Sequence, residues 1–170
     1  MKIIESERLM LRPFTIADSD FIIELLNTEG WIKYIGDRNV KTTEDARNYL
    51  LNGPIKSYEI NGFGLSLVEL KETRAPIGMS GLLRREYLDH PDIGFAYLPN
   101  YIGKGYAYEM AKKIIQNGFD EININKIQAI TLPGNFSSVK LLKKLGFNYE
   151  KNFISKDTNE ELSLYSIDKN

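Results

Sequence analysis

The residues with the most chemical content lie in the run Leu98-Pro99-Asn100-Tyr101-Ile102-Gly103-Lys104-Gly105-Tyr106-Ala107, which joins an apolar, aromatic strand at residues 93–98 to an amphipathic helix. After the loop, Tyr106, Ala107, Met110, Ala111, Ile114, Ile115, Gly118 and Phe119 recur at spacings of three and four, so one helical face is predicted to be buried. A loop held at a helix N-terminus presents unpaired N–H groups and the positive end of the macrodipole, which together favour an anion such as phosphate. Gly103 and Gly105 allow unusual dihedrals and close approach of a ligand to the main chain. A plain strand-to-helix turn explains the same residues. The loop is not a Walker sequence, since no Gly-Lys-Ser/Thr follows a first glycine at the required distance, and Tyr108 stands where a dinucleotide fingerprint needs its third glycine. A phosphate ligand of another kind is required.

Few other groups offer chemistry. There is no cysteine, which excludes disulfides, thiolate metal ligands and an acyl-cysteine route. The single histidine, His90, excludes a multi-histidine metal site, and no close carboxylate cluster replaces it, so no metal is expected. Candidate general bases are Asp92, His90 two residues before it, and Glu160 and Glu161 before the last strand. For each, a solvated turn residue is the favoured reading. Asn135-Phe136-Ser137-Ser138 opens a helix, where serine commonly caps. Trp31 and Tyr34 either shape a substrate wall or pack.

The chain of 170 residues carries a formal net charge of −1, which suits one domain over residues 1–170 and gives no global field for nucleic acid. No window has the roughly 18 consecutive apolar residues of a membrane span, and the first residues lack the apolar run of a signal peptide. A cytoplasmic protein without a membrane or nucleic-acid partner is expected.

The elements that position these groups follow from periodicity. Residues 9–12 alternate apolar and basic before Pro13, as a half-buried strand would. Thr15 is placed to cap a helix whose apolar face is Ile16, Phe21, Ile22, Leu25 and Leu26. Thr42 opens a second, carrying Ala46, Tyr49, Leu50 and Leu51, with Gly53-Pro54 expected to end it. Strands are predicted at 63–70 and 77–85 as an antiparallel pair, then at 93–98, 126–132, 147–154 and 162–167. A last helix spans 137–145, with Gly146 as its left-handed cap, and residues 155–161 form a polar connection. The order is β-α-α-β-β-β-α-β-α-β-β.

In sequence, Pro76-Ile77-Gly78, Gly81-Leu82, Asp92-Ile93-Gly94-Phe95, Gly103-Lys104-Gly105-Tyr106-Ala107-Tyr108-Glu109, Asn135-Phe136-Ser137-Ser138 and Lys144-Leu145-Gly146-Phe147 resemble successive motifs of the GNAT N-acetyltransferase superfamily. They are most similar to its RimJ/RimL-like branch of ribosomal-protein N-terminal acetyltransferases, as is the opening Glu7-Arg8-Leu9-Met10-Leu11-Arg12-Pro13. The resemblance implies an α/β (α+β) GNAT fold: a mixed, mostly antiparallel sheet of about seven strands, a splayed central parallel pair and four flanking helices. It implies acetyl-CoA as co-substrate, a primary amine as acceptor, and a pantetheine arm entering the gap between the strands at 93–98 and 126–132.

By the same resemblance, Ile102, Gly103, Lys104, Gly105, Tyr106 and Ala107 would hold the pyrophosphate, and Tyr97 and Leu98 the pantetheine. The Leu98 N–H would act as oxyanion donor. Asn135 and Ser138 would contact the cofactor, and Trp31, Tyr34 and Asp92 the acceptor. The loop departs from the family at Asn100, where many members have Gln or Arg, and at Ile102, where many of this branch have Trp. The tyrosine that protonates the leaving thiolate in many members is Leu142 here; in the RimJ/RimL-like branch a serine three residues after the asparagine can take that role, and the resemblance puts it at Ser138, as a hydrogen-bond donor. Without an evident base, an acceptor α-amine of pKa about 7.7–8 fits better than a lysine side chain near 10.4, whose deprotonation at pH 7 costs about 4–5 kcal/mol. A small amine or polyamine acceptor stays open, as does a monomer or a homodimer. A non-catalytic acyl-CoA sensor or interaction module is the alternative, favoured by the missing tyrosine.

Overall fold

The computed structural model describes residues 2–156 and 158–169. Of the polar connection at 155–161, Asp157 lies outside the described residues, as do Met1 and Asn170. The strands are β1 (Ile4–Glu5), β2 (Leu9–Arg12), β3 (Leu65–Leu70), β4 (Pro76–Leu83), β5 (Asp92–Tyr97), β6 (Lys126–Thr131), β7 (Asn148–Ile154) and β8 (Glu161–Asp168). They make one sheet in the order β1-β2-β3-β4-β5-β6-β8-β7. Every neighbouring pair is antiparallel except β5 and β6. The two-residue β1 is the strand that periodicity does not reveal, being too short to alternate.

Helices cover both faces. On one lies α5 (Tyr106–Asp120), whose buried side is Met110, Ala111, Ile114, Ile115, Gly118 and Phe119, with α6 (Phe136–Lys144) beside it. This layer packs on Ile93, Tyr97, Ile127, Ala129 and Tyr165. On the other face lie α1 (Ser19–Leu26), α2 (Glu29–Tyr34), α3 (Thr43–Leu50) and α4 (Lys56–Asn61), over Leu67, Met79 and Leu98. The two-residue period of β5 thus sends odd positions toward α5 and even ones, Ala96 among them, toward α1–α4.

Three expectations are corrected. Thr15 caps a 3-10 turn, Ile16–Asp18, through a capping box with Asp18, and α1 starts only after it, so Ile16 is exposed while Phe21, Ile22, Leu25 and Leu26 are buried. Gly53-Pro54 does not end the second helix. The chain passes through a π turn, Leu51–Ile55, that contains Pro54, and continues as α4 until Gly62 takes a left-handed φ of 76°. A π turn widens the backbone and lets a proline that lacks an N–H sit inside a helical run. Leu51 is consequently exposed. Finally, α2 forms behind a Thr28 cap although only Trp31 on it is buried, which leaves no period to read. With α3 and α4 counted as one run, five helices flank eight strands among the described residues.

The β3–β4 contact depends on a glycine. A Cβ at Gly81 would lie 2.2 Å from the Gly64 carbonyl oxygen, and backbone cannot rotate away as a side chain can. Gly81→Ala is expected to destabilise the fold by about 3 kcal/mol, the upper part of the overpacking range, measured by urea unfolding. A change under about 0.5 kcal/mol would mean that β3 and β4 separate there without cost.

Candidate acetyl-transfer site

The parallel pair is joined at one point. Asp92 is in register with Gln128, and the Gln128 N–H donates to the Pro91 carbonyl at 2.8 Å. Beyond it, β6 stays paired with β8 from Lys126↔Asp168 to Thr131↔Ser163, while β5 stays paired with β4 from Leu83↔Asp92 to Gly78↔Tyr97. Each strand follows its antiparallel partner and a gap opens between them.

Backbone parity decides what faces the gap. The Leu98 N–H donates to the Ile77 carbonyl at 2.9 Å, so Leu98 and the even residues of β5 turn their polar groups toward β4. The odd residues turn theirs the other way. Beyond the Asp92–Gln128 junction the N–H and C=O groups of Phe95 and Tyr97 therefore face the gap. The Leu98 amide is engaged by the Ile77 carbonyl and so is not free to act as the expected oxyanion donor; the N–H groups that face the gap are those of Phe95 and Tyr97. Sequence alone does not reveal this, because parity depends on the register with β4.

At its open end the gap meets the glycine loop. After the short turn Pro99–Tyr101, Gly103 and Gly105 take positive φ values of 79° and 83°. Gly105 is the N-cap of α5 and supplies no side chain, and the Glu109 N–H to the Gly105 carbonyl, at 3.0 Å, closes the first turn. The amides of the preceding residues, Tyr106 and Ala107 among them, have no intrahelical acceptor. Ile102, Gly103, Lys104 and Gly105 are exposed, with Tyr106 and Ala107 half-buried behind them. The Lys104 ammonium lies 5.5 Å from the Tyr101 ring. The open amides and the exposed loop fit an anionic, extended ligand entering between β5 and β6.

Asn135 caps α6, its Oδ1 accepting from the Ser138 N–H at 3.2 Å. The Ser138 hydroxyl is half-buried and has no hydrogen-bond partner among the described residues. Leu142 is 1 % exposed and belongs to the core, so no acid occupies that position. The Tyr97 hydroxyl is buried without a partner, and burial pushes its pKa far up, with Glu109 adding to the effect. It stays protonated.

The residues expected to face the acceptor, Asp92, Trp31 and Tyr34, lie on the side of α1–α4. Asp92, an even residue, points there and is 1 % exposed. Arg85 Nε lies 3.1 Å from both of its oxygens, and Arg85 Nη1 donates to the Tyr87 hydroxyl at 3.3 Å. Burial pushes the Asp92 carboxyl up, opposed by Arg85. The His90 backbone N–H donates to Gln128 Oε1 at 3.2 Å, and the Tyr87 and Phe153 rings stand 6.2 Å apart. The residue 84–91 connection is thereby tied over the sheet. Trp31, expected on the acceptor wall, is only 5 % exposed and packs in the core cluster that contains Leu98; it supports that wall from within. Tyr34 is on the surface, with the Lys33 ammonium 5.1 Å from its ring. Glu160 is exposed, and Glu161 is engaged by Asn152 at the β7–β8 end. Arg85 is the functional candidate that sequence reasoning missed, because its pairing with Asp92 across seven residues depends on the course of the connection. No group of three metal-ligating side chains occurs among the described residues.

Comparison with known proteins agrees with this geometry. Residues 8–148 match the family model described as "Acetyltransferase (GNAT) domain". YnaD of Bacillus subtilis (strain 168), described as an uncharacterized N-acetyltransferase, is 32 % identical over 148 residues, 86 % of this chain and 83 % of that protein. A GNAT-family acetyltransferase structure from Bacillus anthracis superposes with a TM-score of 0.82 at 27 % identity, covering 98 % of both chains. RimL, a ribosomal L7/L12 α-N-protein acetyltransferase solved in complex with coenzyme A, gives a TM-score of 0.85 at 14 % identity over 98 % of each chain, a likeness of fold. Matched over most of its length by the family model and carrying that fold, the chain belongs to the GNAT acetyltransferases.

Proposed function

We propose that the protein transfers an acetyl group from acetyl-CoA to a primary amine by direct attack in a ternary complex, with a peptide N-terminal α-amine as the favoured acceptor, the RimJ/RimL-like specificity. The observation that carries this reading is the open edge of β5. The unpaired groups of Phe95 and Tyr97 offer a strand-like edge to the amide-bearing pantetheine arm, in line with a loop of free amides for the diphosphate.

Acetyl-CoA supplies the acyl group as a thioester. Amides from Ile102 to Ala107 hold the diphosphate through charge-assisted hydrogen bonds of about 1.5–3 kcal/mol each, with Lys104 adding attraction. The Phe95 N–H, deeper in the gap than Tyr97, meets the oxygen on which charge develops. The amine comes from the face that carries Asp92 and Tyr34. As its nitrogen forms the C–N bond, the C–S bond breaks; the amine proton leaves to water or to the Asp92 carboxylate. The sulfur takes a proton through the Ser138 hydroxyl, which acts as a hydrogen-bond donor. Asn135, whose Oδ1 caps α6, keeps Ser138 in place.

The decisive assay is free-thiol release from acetyl-CoA across peptides with free and blocked N-termini, lysine, spermidine and an aminoglycoside. Turnover that requires a free N-terminus is expected. Turnover only with spermidine or lysine would overturn the acceptor class, and acetyl-CoA binding without any turnover would favour the sensor. For the active peptide, kcat/KM should rise with pH through the α-amine pKa of about 7.7–8 and level off about one unit above it, where the amine is largely neutral. Gly105→Val places a branched side chain at a left-handed position in the loop and is expected to raise the acetyl-CoA Kd roughly 10- to 100-fold by calorimetry. Ser138→Ala should lower kcat by about 10- to 100-fold with the acetyl-CoA Kd nearly unchanged. Equal turnover would remove Ser138 from the reaction.

A further inference from the structure

The diphosphate loop is braced from the other end of the chain. Arg8, just before β2, donates from its backbone N–H to Glu109 Oε1 at 2.8 Å and from Nε to Glu109 Oε2 at 2.7 Å, while its Nη2 lies 2.7 Å from the same Oε2. Ser6 Oγ donates to Glu109 Oε1 at 2.7 Å. The remaining arm of the guanidinium, Nη1, donates to the Lys104 carbonyl at 3.2 Å, and its carbon sits 4.5 Å from the centre of the Tyr106 ring. Arg8 Nη2 stands 3.4 Å from where a Cβ on Gly105 would be.

Two consequences follow for an anion at this loop. The Lys104 carbonyl and the Gly105 N–H belong to one planar trans peptide and point in opposite directions. Holding the carbonyl on Arg8 therefore directs the Gly105 N–H away from Arg8, out of the protein's N-terminal segment and toward the open side of the loop. In addition, Glu109 lies in the first turn of α5, where its charge opposes a phosphate that the helix terminus would otherwise attract. Arg8 surrounds that carboxylate and cancels its charge.

We propose that Arg8 is a positioning residue for the diphosphate loop, orienting the Lys104–Gly105 peptide and neutralising Glu109 so that the amides of the α5 terminus receive the cofactor's diphosphate. The inference rests on the acetyl-CoA reading above. Arg8 touches no reacting atom; it acts through the backbone it holds. Lysine cannot substitute, because one ammonium cannot span Glu109 and the Lys104 carbonyl as the guanidinium fork does.

The test compares two acyl donors, acetyl-CoA and S-acetylpantetheine, which has the thioester arm and no diphosphate. Wild type, Arg8→Ala, Arg8→Lys, Glu109→Gln and the Arg8→Ala/Glu109→Gln double variant are measured for acetyl-CoA Kd and for kcat/KM with each donor. Arg8→Ala is expected to weaken acetyl-CoA binding at least about tenfold while kcat/KM with S-acetylpantetheine stays within about twofold of wild type. Arg8→Lys should recover less than half of the loss on a logarithmic scale. The double variant should bind acetyl-CoA more tightly than Arg8→Ala alone, since removing Glu109's charge relieves the anion of its uncompensated neighbour. Equal losses for the two donors, or a double variant no better than the single, would reduce Arg8 to a structural brace and overturn the proposal. Where Arg8→Ala fails to fold, the Arg8→Lys and Glu109→Gln variants decide on the same two-donor comparison. Wild type that binds no acetyl-CoA would fail the underlying reading, whereas wild-type binding with an unaffected Arg8→Ala would fail this inference alone.

Discussion

Everything chemical in this molecule depends on the competition between neighbours for β5 and β6. Each strand is held along its length by an antiparallel partner, β4 for one and β8 for the other, and the two share a single register position at Asp92 and Gln128. A sheet normally cannot leave backbone donors facing an open gap in its middle, because unpaired polar groups that lose water are costly. The unpaired edge is an interior edge strand, and the proposed function pairs it with the amide-bearing arm of the cofactor.

The direction of that edge is set by parity, and parity by the hydrogen bond from Leu98 to Ile77. A one-residue slip of β5 on β4 would turn the Phe95 and Tyr97 amides into the ladder and present Leu98 instead, and it would exchange the side chains of the two faces. Such a slip is resisted from both sides. Tyr97 lies against Gly78, where a Cβ would come within 2.6 Å of the ring, and Asp92 is buried on Arg85. An aromatic ring matched to a glycine and a buried carboxylate matched to an arginine each fit in one register only. The specificity of the fold and the orientation of the site are therefore the same constraint.

How much was legible in the sequence follows from this. The amphipathic period of α5, the caps at Thr42 and Gly146, and the alternation of β3, β4 and β5 are local signals, and they place the loop and the order of the strands. The family motifs are legible for the same reason, being short runs with fixed spacing. What failed is non-local. Leu98 is the donor that the resemblance implies, yet its amide is determined by a strand some twenty residues away in sequence. Trp31 resembles a recognition aromatic and is core, since its burial depends on α1 and the β5 terminus packing around it. Gly53-Pro54 carries the local signature of a helix stop, and the turn absorbs it because Leu50 and Pro54 are both buried on the same side of a continuing run. The Arg8–Glu109 pair spans 101 positions and has no local signature at all.

The distribution of strong and weak interactions also bears on how such a site accelerates its reaction. The groups fixed most firmly are those that bind and orient: ladder-held β5 backbone, an N-capped α6 and a loop whose exposed glycines are braced by Arg8. The groups that the proposed mechanism uses for proton transfer are modest by comparison, a serine hydroxyl with no partner of its own among the described residues and one carboxylate already engaged by an arginine. Juxtaposing two reactants and excluding wrong orientations can supply on the order of 7–11 kcal/mol of a barrier without any titrating side chain. Aminolysis of a thioester suits that division. The thiol is a good leaving group, since its ordinary pKa near 8.5 makes the thiolate accessible, and an acceptor with an amine pKa close to neutral delivers its own lone pair. Under the proposed function, a site that is rigid in its backbone and sparing in its acids and bases would select through the acceptor's basicity as well as its shape, and that is the physical argument for proposing an α-amine rather than an alkylamine as acceptor.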